Sequence, residues 1–316
     1  MSSAAPEEGA WASAYHAPVL VDEVGVVLKG AKTILDCTLG GGGHSAALLA
    51  MGAQVTAIDR DPQAIAAARE RLAAEEAAGR FRIILGNFAE ADRLLPHQQQ
   101  KFDGILADLG VSSHQVDEAS RGFSFREGAP LDMRMDAGTS VTAADLLNTM
   151  DESELVGVLG DYADETRARS LAREIVRRRR TVPFETSDHL VGAIRAVLGP
   201  RSGPGDFARI FQGFRIAVND ELGSLERALP VLRDHLEPGG VLAVIAYHSG
   251  EDRIVKHLMR EWSRDCVCPP RQLECTCGGR ALGELVLRKA VKASAAEASR
   301  NPRARSARLR AWRRAT

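Results

Sequence analysis

The sequence predicts an α/β fold: a parallel sheet covered by helices on both faces and interrupted by a helical insert. Three observations carry that expectation. Apolar runs that read as strands alternate with helical segments from Lys32 to Gly110. Four consecutive glycines, Gly40–Gly43, sit between the first strand and the helix after it. From Ala143 to about Arg215 the pattern is helical, with no strand in it.

The elements follow in order. KTILDC is a buried strand, HSAALLAMG a short helix closed by Gly52, and QVTAIDRD a second strand carrying Asp59 at its end. DPQAIAAARERLAAEEAAG is a helix with Pro62 in its first turn and Gly79 just past its end, where each residue is favoured. FRIILGNF is the third strand and FDGILADLG the fourth, apolar on both faces as the interior of a parallel sheet is. A Gly- and charge-rich loop runs from about Ser113 to Thr139, and loops of that length tend to carry function. After the helical insert, GDFARIFQGFRIAVNDELGSLERALPVLRDHL stays helical on its way back to the sheet. GGVLAVIAYHS is a late strand and GELVLRKAV a last one. The Arg-rich, Pro-broken SRNPRARSARLRAWRRAT reads as an extended basic tail. The expected organisation is a sheet domain in two parts (1–137 and 216–298), an insert (138–215) and a tail (299–316).

Bulk composition sets limits. The chain has 316 residues, 45% of them hydrophobic, enough for a sizeable core. A net charge of −1 gives no sign of a polyanionic partner, so any nucleic-acid contact rests on local basic clusters. No run approaches the roughly 18 apolar residues of a membrane span, and MSSAAPEEGAWAS lacks the basic start and apolar core of a signal peptide. The expected location is the cytoplasm. Of five cysteines Cys37 stands alone, and Cys266, Cys268, Cys275 and Cys277 form CVCPPRQLECTC, with C-x-C spacing in place of the usual C-x-x-C knuckle. Zinc and a Cys-lined loop packed on the core are both open readings.

A glycine turn between a strand and a helix lets a ligand approach bare backbone N–H groups. A dinucleotide fingerprint, G-x-G-x-x-G, fails at its third glycine, where Ser45 stands. The alternative is D-x-x-x-G-x-G, Asp36, Gly40 and Gly42, which resembles the first motif of S-adenosylmethionine-dependent methyltransferases. Asp59 suits the ribose hydroxyls of either cofactor. Strand four ends LADLG and so delivers Asp108 to the carboxyl edge of the sheet, where open α/β sheets bind ligands. Amino methyltransferases carry an acid or amide there, followed by Pro-Pro and an aromatic; here Leu109-Gly110-Val111 follow.

Longer stretches are more specific: HAPVLVDEV, GGGHS, AIDRDPQAI, DGILADLGVSSHQVDEASRGFSFREGAPLDMRMD, FQGFRIAVNDEL, HSGEDRIVK and NPRARSARLR, from His16 to Arg310. In these the chain resembles the bacterial 16S ribosomal RNA cytosine-N4 methyltransferases, the ribosomal RNA small subunit methyltransferase H family. It departs from them where AYHSGEDR replaces SFHSLEDR and GDFARIFQ replaces HPATRTFQ. The resemblance implies a Rossmann-like S-adenosylmethionine-dependent methyltransferase sheet with an inserted helical substrate-recognition domain. It implies S-adenosyl-L-methionine as cofactor, held by Gly42, Gly43, His44, Asp59, Phe88, Asp108 and Gln115. It implies N4-methylation of a cytidine in 16S ribosomal RNA, at position 1402 of the usual numbering, within the small subunit. Another RNA or a protein amine is the alternative acceptor.

Methyl transfer from a sulfonium is an in-line displacement that needs no metal, so positioning supplies most of the acceleration. Asp108 is the candidate catalytic residue, an acceptor that holds the N4 hydrogens and frees the nitrogen lone pair. The base must be splayed out and stacked on an aromatic. With 5% aromatics the candidates are Phe123, Phe125, Phe211, Phe214 and Tyr247, with His248-Ser249 close behind the late strand. Phosphate contacts are expected from Arg177, Arg178, Arg179 and Arg180, from Arg121, Arg126 and Arg134, and from the tail. A solvated helix end is the competing reading of the Arg177–Arg180 run. A nicotinamide oxidoreductase and a non-catalytic RNA-binding module are the competing classes. The sequence leaves oligomeric state open, a homodimer included.

Overall fold

The computed structural model describes Trp11 and residues 18–95, 100–110, 118–136, 140–266, 268–269, 272, 274–276 and 279–316. The chain divides into two units, Met1–Gly110 with Ser224–Thr316, and Val111–Gly223.

The first unit is the sheet. Its strands are β1 (Thr33–Asp36), β2 (Gln54–Asp59), β3 (Phe81–Leu85), β4 (Phe102–Asp108), β5 (Leu236–Ala246), β6 (Gly283–Leu285), β7 (Val291–Lys292) and β8 (Arg308–Arg314). They lie in the order β3-β2-β1-β4-β5-β8-β6, with β7 also on β8. The ladders from β3 to β5 are parallel, and β8 runs antiparallel to β5, β6 and β7. The chain winds outward in one direction through β2 and β3 and in the other through β4 and β5. The topological switch therefore falls between β1 and β4, at whose carboxyl ends such sheets bind ligands.

Successive strand residues point to opposite faces, and both faces are covered. Ile34, Val55, Leu106 and Ala243 pack with Val24, Leu48, Leu49 and Ile65 from helices Val21–Val27, Gly43–Ala50 and Pro62–Arg71. Leu35, Ile58, Ile105 and Leu242 pack with Leu225, Leu229, Val255 and Met259 from helices Glu221–Asp234 and Ser249–Trp262.

The C-terminal arginines are not an extended tail, which corrects the sequence reading. Arg308–Arg314 is an internal strand. Leu309 and Ala311 alternate into one face and Trp312, wholly buried, enters the other, edge-on to Trp262 at 5.3 Å. The arginines fit because Asp252 neutralises two of them: Arg310 Nε and Nη2 lie 2.7 and 3.1 Å from its oxygens and Arg308 Nη1 3.0 Å. The expected last strand, GELVLRKAV, pairs only at Gly283–Leu285 and Val291–Lys292.

The second unit is helical: Ala143–Thr149, Glu152–Gly157 running into a π turn Val158–Tyr162, Ala168–Arg179, Ser187–Leu198 and Pro204–Asn219. Capping boxes start the first two, with Thr142 against Asp145 and Asp151 against Glu154. Leu147, Leu155, Leu171, Ile175, Ile194, Ile210 and Phe214 form its core. The described part of the long loop, residues 118–136, belongs to this unit. Leu131 and Met133 are buried in the same core. Leu131 N–H donates to Glu185 O at 2.9 Å, and Asn219 bridges Met135 N (2.9 Å) and Met133 O (2.8 Å). The helical unit therefore begins directly after β4, ahead of the expected residue 138. No helix among the described residues is long and apolar enough to cross a membrane.

Candidate active site

Three acids stand at the carboxyl edge of the sheet around the switch point. Asp36, at the end of β1, is wholly buried. Its Oδ2 accepts from Ser45 Oγ at 2.7 Å and its Oδ1 from Thr38 N at 3.1 Å. Thr38 Oγ1 in turn accepts from Asp108 N at 2.6 Å. Asp36 thus ties β1, the glycine turn and the end of β4 together. Burial pushes its pKa up, against the Ser45 hydrogen bond.

The glycines are needed for two reasons. Gly42 is in the left-handed region, φ 74°, which a side chain rarely adopts. Gly43 opens the helix Gly43–Ala50, and a Cβ there would lie 2.8 Å from the Pro18 ring. Asp59, at the end of β2, spans the turn: Oδ2 accepts from Gly40 N at 2.8 Å and Oδ1 from Asp61 N at 2.9 Å. Burial raises its pKa to about 6, against the pull of those two amides. Each oxygen keeps a second lone pair for a hydroxyl donor. Phe88 starts a single 3₁₀ turn, Phe88–Glu90, just past β3. Gly86 N–H bonds Asp59 O at 2.8 Å, so Phe88 stands at the same edge, half-buried against the core. Gln115 lies outside the described residues.

Asp108 ends β4 with a side chain only 8% exposed. Tyr247, at the end of β5, donates its hydroxyl to Asp108 Oδ1 at 2.8 Å. His44 Nδ1 lies 3.5 Å from Oδ2, and His44 Nε2 is 2.9 Å from Val19 O. A carbonyl only accepts, so Nε2 carries the hydrogen and Nδ1 faces Asp108. Burial lifts the Asp108 pKa to about 6, while His44 and the Tyr247 hydrogen bond hold it down. Burial, with the Asp108 charge, raises the Tyr247 pKa well above its ordinary value, so Tyr247 stays a phenol donor.

Sequence reasoning placed His44 in the cofactor turn; the structure turns its ring toward Asp108. Tyr247, one of five stacking candidates, is the aromatic that the structure brings to Asp108. Its backbone is fixed by Glu251, which the sequence reading did not single out: Oε2 accepts from Tyr247 N at 2.8 Å and His248 N at 3.3 Å. The signal was available, since H-S-G-E has the spacing of a capping box, with His248 as N-cap of the helix Ser249–Trp262.

In the helical unit Phe125 packs edge-on to Phe207 and Phe211, with centroids 5.7 and 6.1 Å apart, against that unit's core. The arginine run is largely engaged. Arg177 and Arg178 bond Glu174 at 2.7–2.8 Å, which drops the Glu174 pKa to about 2. Arg179 Nη1 caps Leu147 O at 2.9 Å and Met150 O at 2.6 Å. Arg177 and Arg180 are exposed.

Residues 13–315 match the MraW methylase family. The chain belongs to that family. The chain is also 63% identical over 299 residues to ribosomal RNA small subunit methyltransferase H of Gemmatimonas aurantiaca, covering 95% of each chain. It is 44% identical over 306 residues to the protein of that name from Heliobacterium mobile, covering 94% of this chain and 97% of that one. A third, from Anaeromyxobacter sp. (strain K), is 47% identical over 304 residues, covering 94% and 96%. An MraW methylase takes its methyl group from S-adenosyl-L-methionine, and the residues present fit that group. The turn at Gly42–Gly43 offers bare backbone, Asp59 is an anionic acceptor with lone pairs to spare, and Phe88 supplies an apolar ring at the same edge.

Proposed function

We propose that this MraW methylase transfers a methyl group to the exocyclic N4 of a cytidine in 16S ribosomal RNA of the small subunit, in the cytoplasm. One observation carries the chemistry: a carboxylate at the β4 edge, held on one oxygen by the Tyr247 hydroxyl and faced on the other by His44 Nδ1. The relatives' name, small subunit methyltransferase H, supports the substrate.

The bound cofactor supplies an electrophilic methyl carbon. What the chain must supply is a nucleophile. The cytosine N4 lone pair is delocalised into the ring, and an anion accepting an N4 hydrogen favours the positive charge that grows on nitrogen as its bond to carbon forms. A carboxyl with a pKa near 6 is ionised at neutral pH yet basic enough to hold the proton that N4 then loses. His44 Nδ1 faces the other oxygen from 3.5 Å, on a ring fixed by the bond of its Nε2 to Val19 O, so the carboxylate is held on both sides. Tyr247 orients Asp108 and stands beside it as the stacking surface for the base. In the helical unit Arg177 and Arg180 supply phosphate contacts.

The test is mass spectrometry of unmethylated small-subunit RNA or particles after incubation with isotope-labelled cofactor. Label on N4 of one cytidine is expected. Label on another base, on a protein amine, or nowhere opposes the reading.

A further inference from the structure

Residues 263–282 join the helix Ser249–Trp262 to β6, at the edge of the sheet. The base of this segment is closed, since Leu282 N–H donates to Trp262 O at 2.8 Å and Leu282 O accepts from Ala315 N at 2.9 Å. Between those points none of the described residues is buried. Among the described residues of the loop there is no buried apolar anchor, and Cys266, Cys268 and Cys275 are not packed on the core, the other reading of these cysteines.

The described sulfurs converge instead. The Sγ atoms of Cys266, Cys268 and Cys275 all lie within 4.8 Å of one another. Cys275 Sγ is 3.5 Å from Cys266 Sγ, much longer than an S–S bond of about 2.05 Å. It is close to the roughly 3.8 Å between two thiolates on one tetrahedral zinc with Zn–S bonds of about 2.3 Å. Cys268 N–H points at Cys266 Sγ from 3.4 Å, which draws the C-x-C turn in around that sulfur. Cysteine is among the residues most often buried. Here Cys266 and Cys275 are exposed and Cys268 half-buried.

We propose that Cys266, Cys268 and Cys275 hold one Zn²⁺ that orders this loop. Soft thiolates select zinc over the hard cations, and ion binding supplies folding free energy that the unburied described residues do not. The three sulfurs leave the fourth corner of the tetrahedron to water or an added ligand. The proposal stands on the sulfurs alone and is independent of the methyl-transfer reading.

The full chain, purified under reducing conditions and incubated with excess Zn²⁺ before desalting, is assayed for metal by mass spectrometry. One Zn²⁺ per chain is expected, falling to near zero in C266S/C268S with unchanged circular dichroism. Co²⁺ in place of Zn²⁺ should give an intense sulfur-to-cobalt charge-transfer band and the visible bands of a tetrahedral ion. In the wild type, a strong chelator should open the Arg264 and Arg280 peptide bonds to trypsin, and Zn²⁺ should close them again. Zinc near zero in the wild type, zinc retained in C266S/C268S, an iron–sulfur spectrum, or cobalt bound without thiolate bands overturns the proposal.

Discussion

Replacing Asp108 by Asn separates charge from shape at the proposed reaction centre. The amide keeps an oxygen for the Tyr247 hydroxyl, now 2.8 Å from Asp108 Oδ1, and occupies the same volume. It loses the charge. With its pKa near 6, Asp108 is roughly 97% ionised at pH 7.5. A charged hydrogen bond that strengthens as N4 becomes cationic is worth about 2–4 kcal/mol of barrier, so kcat should fall about 30- to 900-fold. The assay is single-turnover methylation at saturating S-adenosylmethionine with unmethylated small-subunit RNA. The wild-type rate should also fall about tenfold per pH unit below 6, where the carboxyl takes a proton, and D108N should lack that limb. Asp59 shares a pKa near 6, which is why the cofactor must saturate: loss of ribose binding then drops out of kcat. A wild-type kcat in D108N, with only the apparent cofactor affinity reduced, would refute the catalytic assignment.

Stability should move the other way. The folded pKa of Asp108 is raised from 3.8, so its contribution is complete below that value and is lost as pH rises through about 6. Asn escapes that loss, and D108N should be more stable by about 1–2 kcal/mol at pH 7.5, with the gain gone near pH 4, as denaturant melts at the two pH values would show. Tyr247→Phe removes the hydroxyl that holds the Asp108 pKa down, so the acid limb of kcat should shift to higher pH. Asp59→Ala should weaken S-adenosylmethionine binding by about 30- to 900-fold in calorimetry, and it should also lower the melting temperature, because Gly40 N loses its acceptor. Arg179→Ala uncaps two carbonyls and should destabilise the helical unit by about 1–2 kcal/mol. Arg177→Ala with Arg180→Ala should instead flatten the slope of log RNA affinity against log salt by about one to two, leaving cofactor affinity unchanged.

The parallel half of the sheet was legible because its signals are local. Strands from β1 to β4 are continuous apolar runs, and Asp36, Asp59 and Asp108 each close one of them. The partners of Asp108 were less legible, since His44 and Tyr247 reach it across 64 and 139 residues of chain. Nothing in local periodicity says that the His44 ring and the Tyr247 hydroxyl meet on one carboxylate. The basic end misled for an electrostatic reason: its arginines read as solvated until Asp252, 56 and 58 residues earlier, is seen to neutralise Arg308 and Arg310. The alternation Leu309, Ala311 was the missed clue. Within the Arg177–Arg180 run, partners at Glu174, Leu147 O and Met150 O hold Arg178 and Arg179 partly inward while Arg177 and Arg180 stay exposed, a division that the run's composition does not show.

The place of β8 has a consequence for biosynthesis. It lies between β5 and β6 and is also the partner of β7, yet it is made after all three. Until Arg308–Arg314 leaves the ribosome, β6 and β7 have nothing to pair with, and β5 presents Val241–Ala246 as a bare apolar rim. Such a rim recruits other chains. A premature stop at Asn301 would therefore cost three strands, not one, and leave an aggregation-prone stub in place of a shortened enzyme. The nascent protein is most exposed after β5 has emerged and before β8 has, when chaperone cover of that rim would matter most.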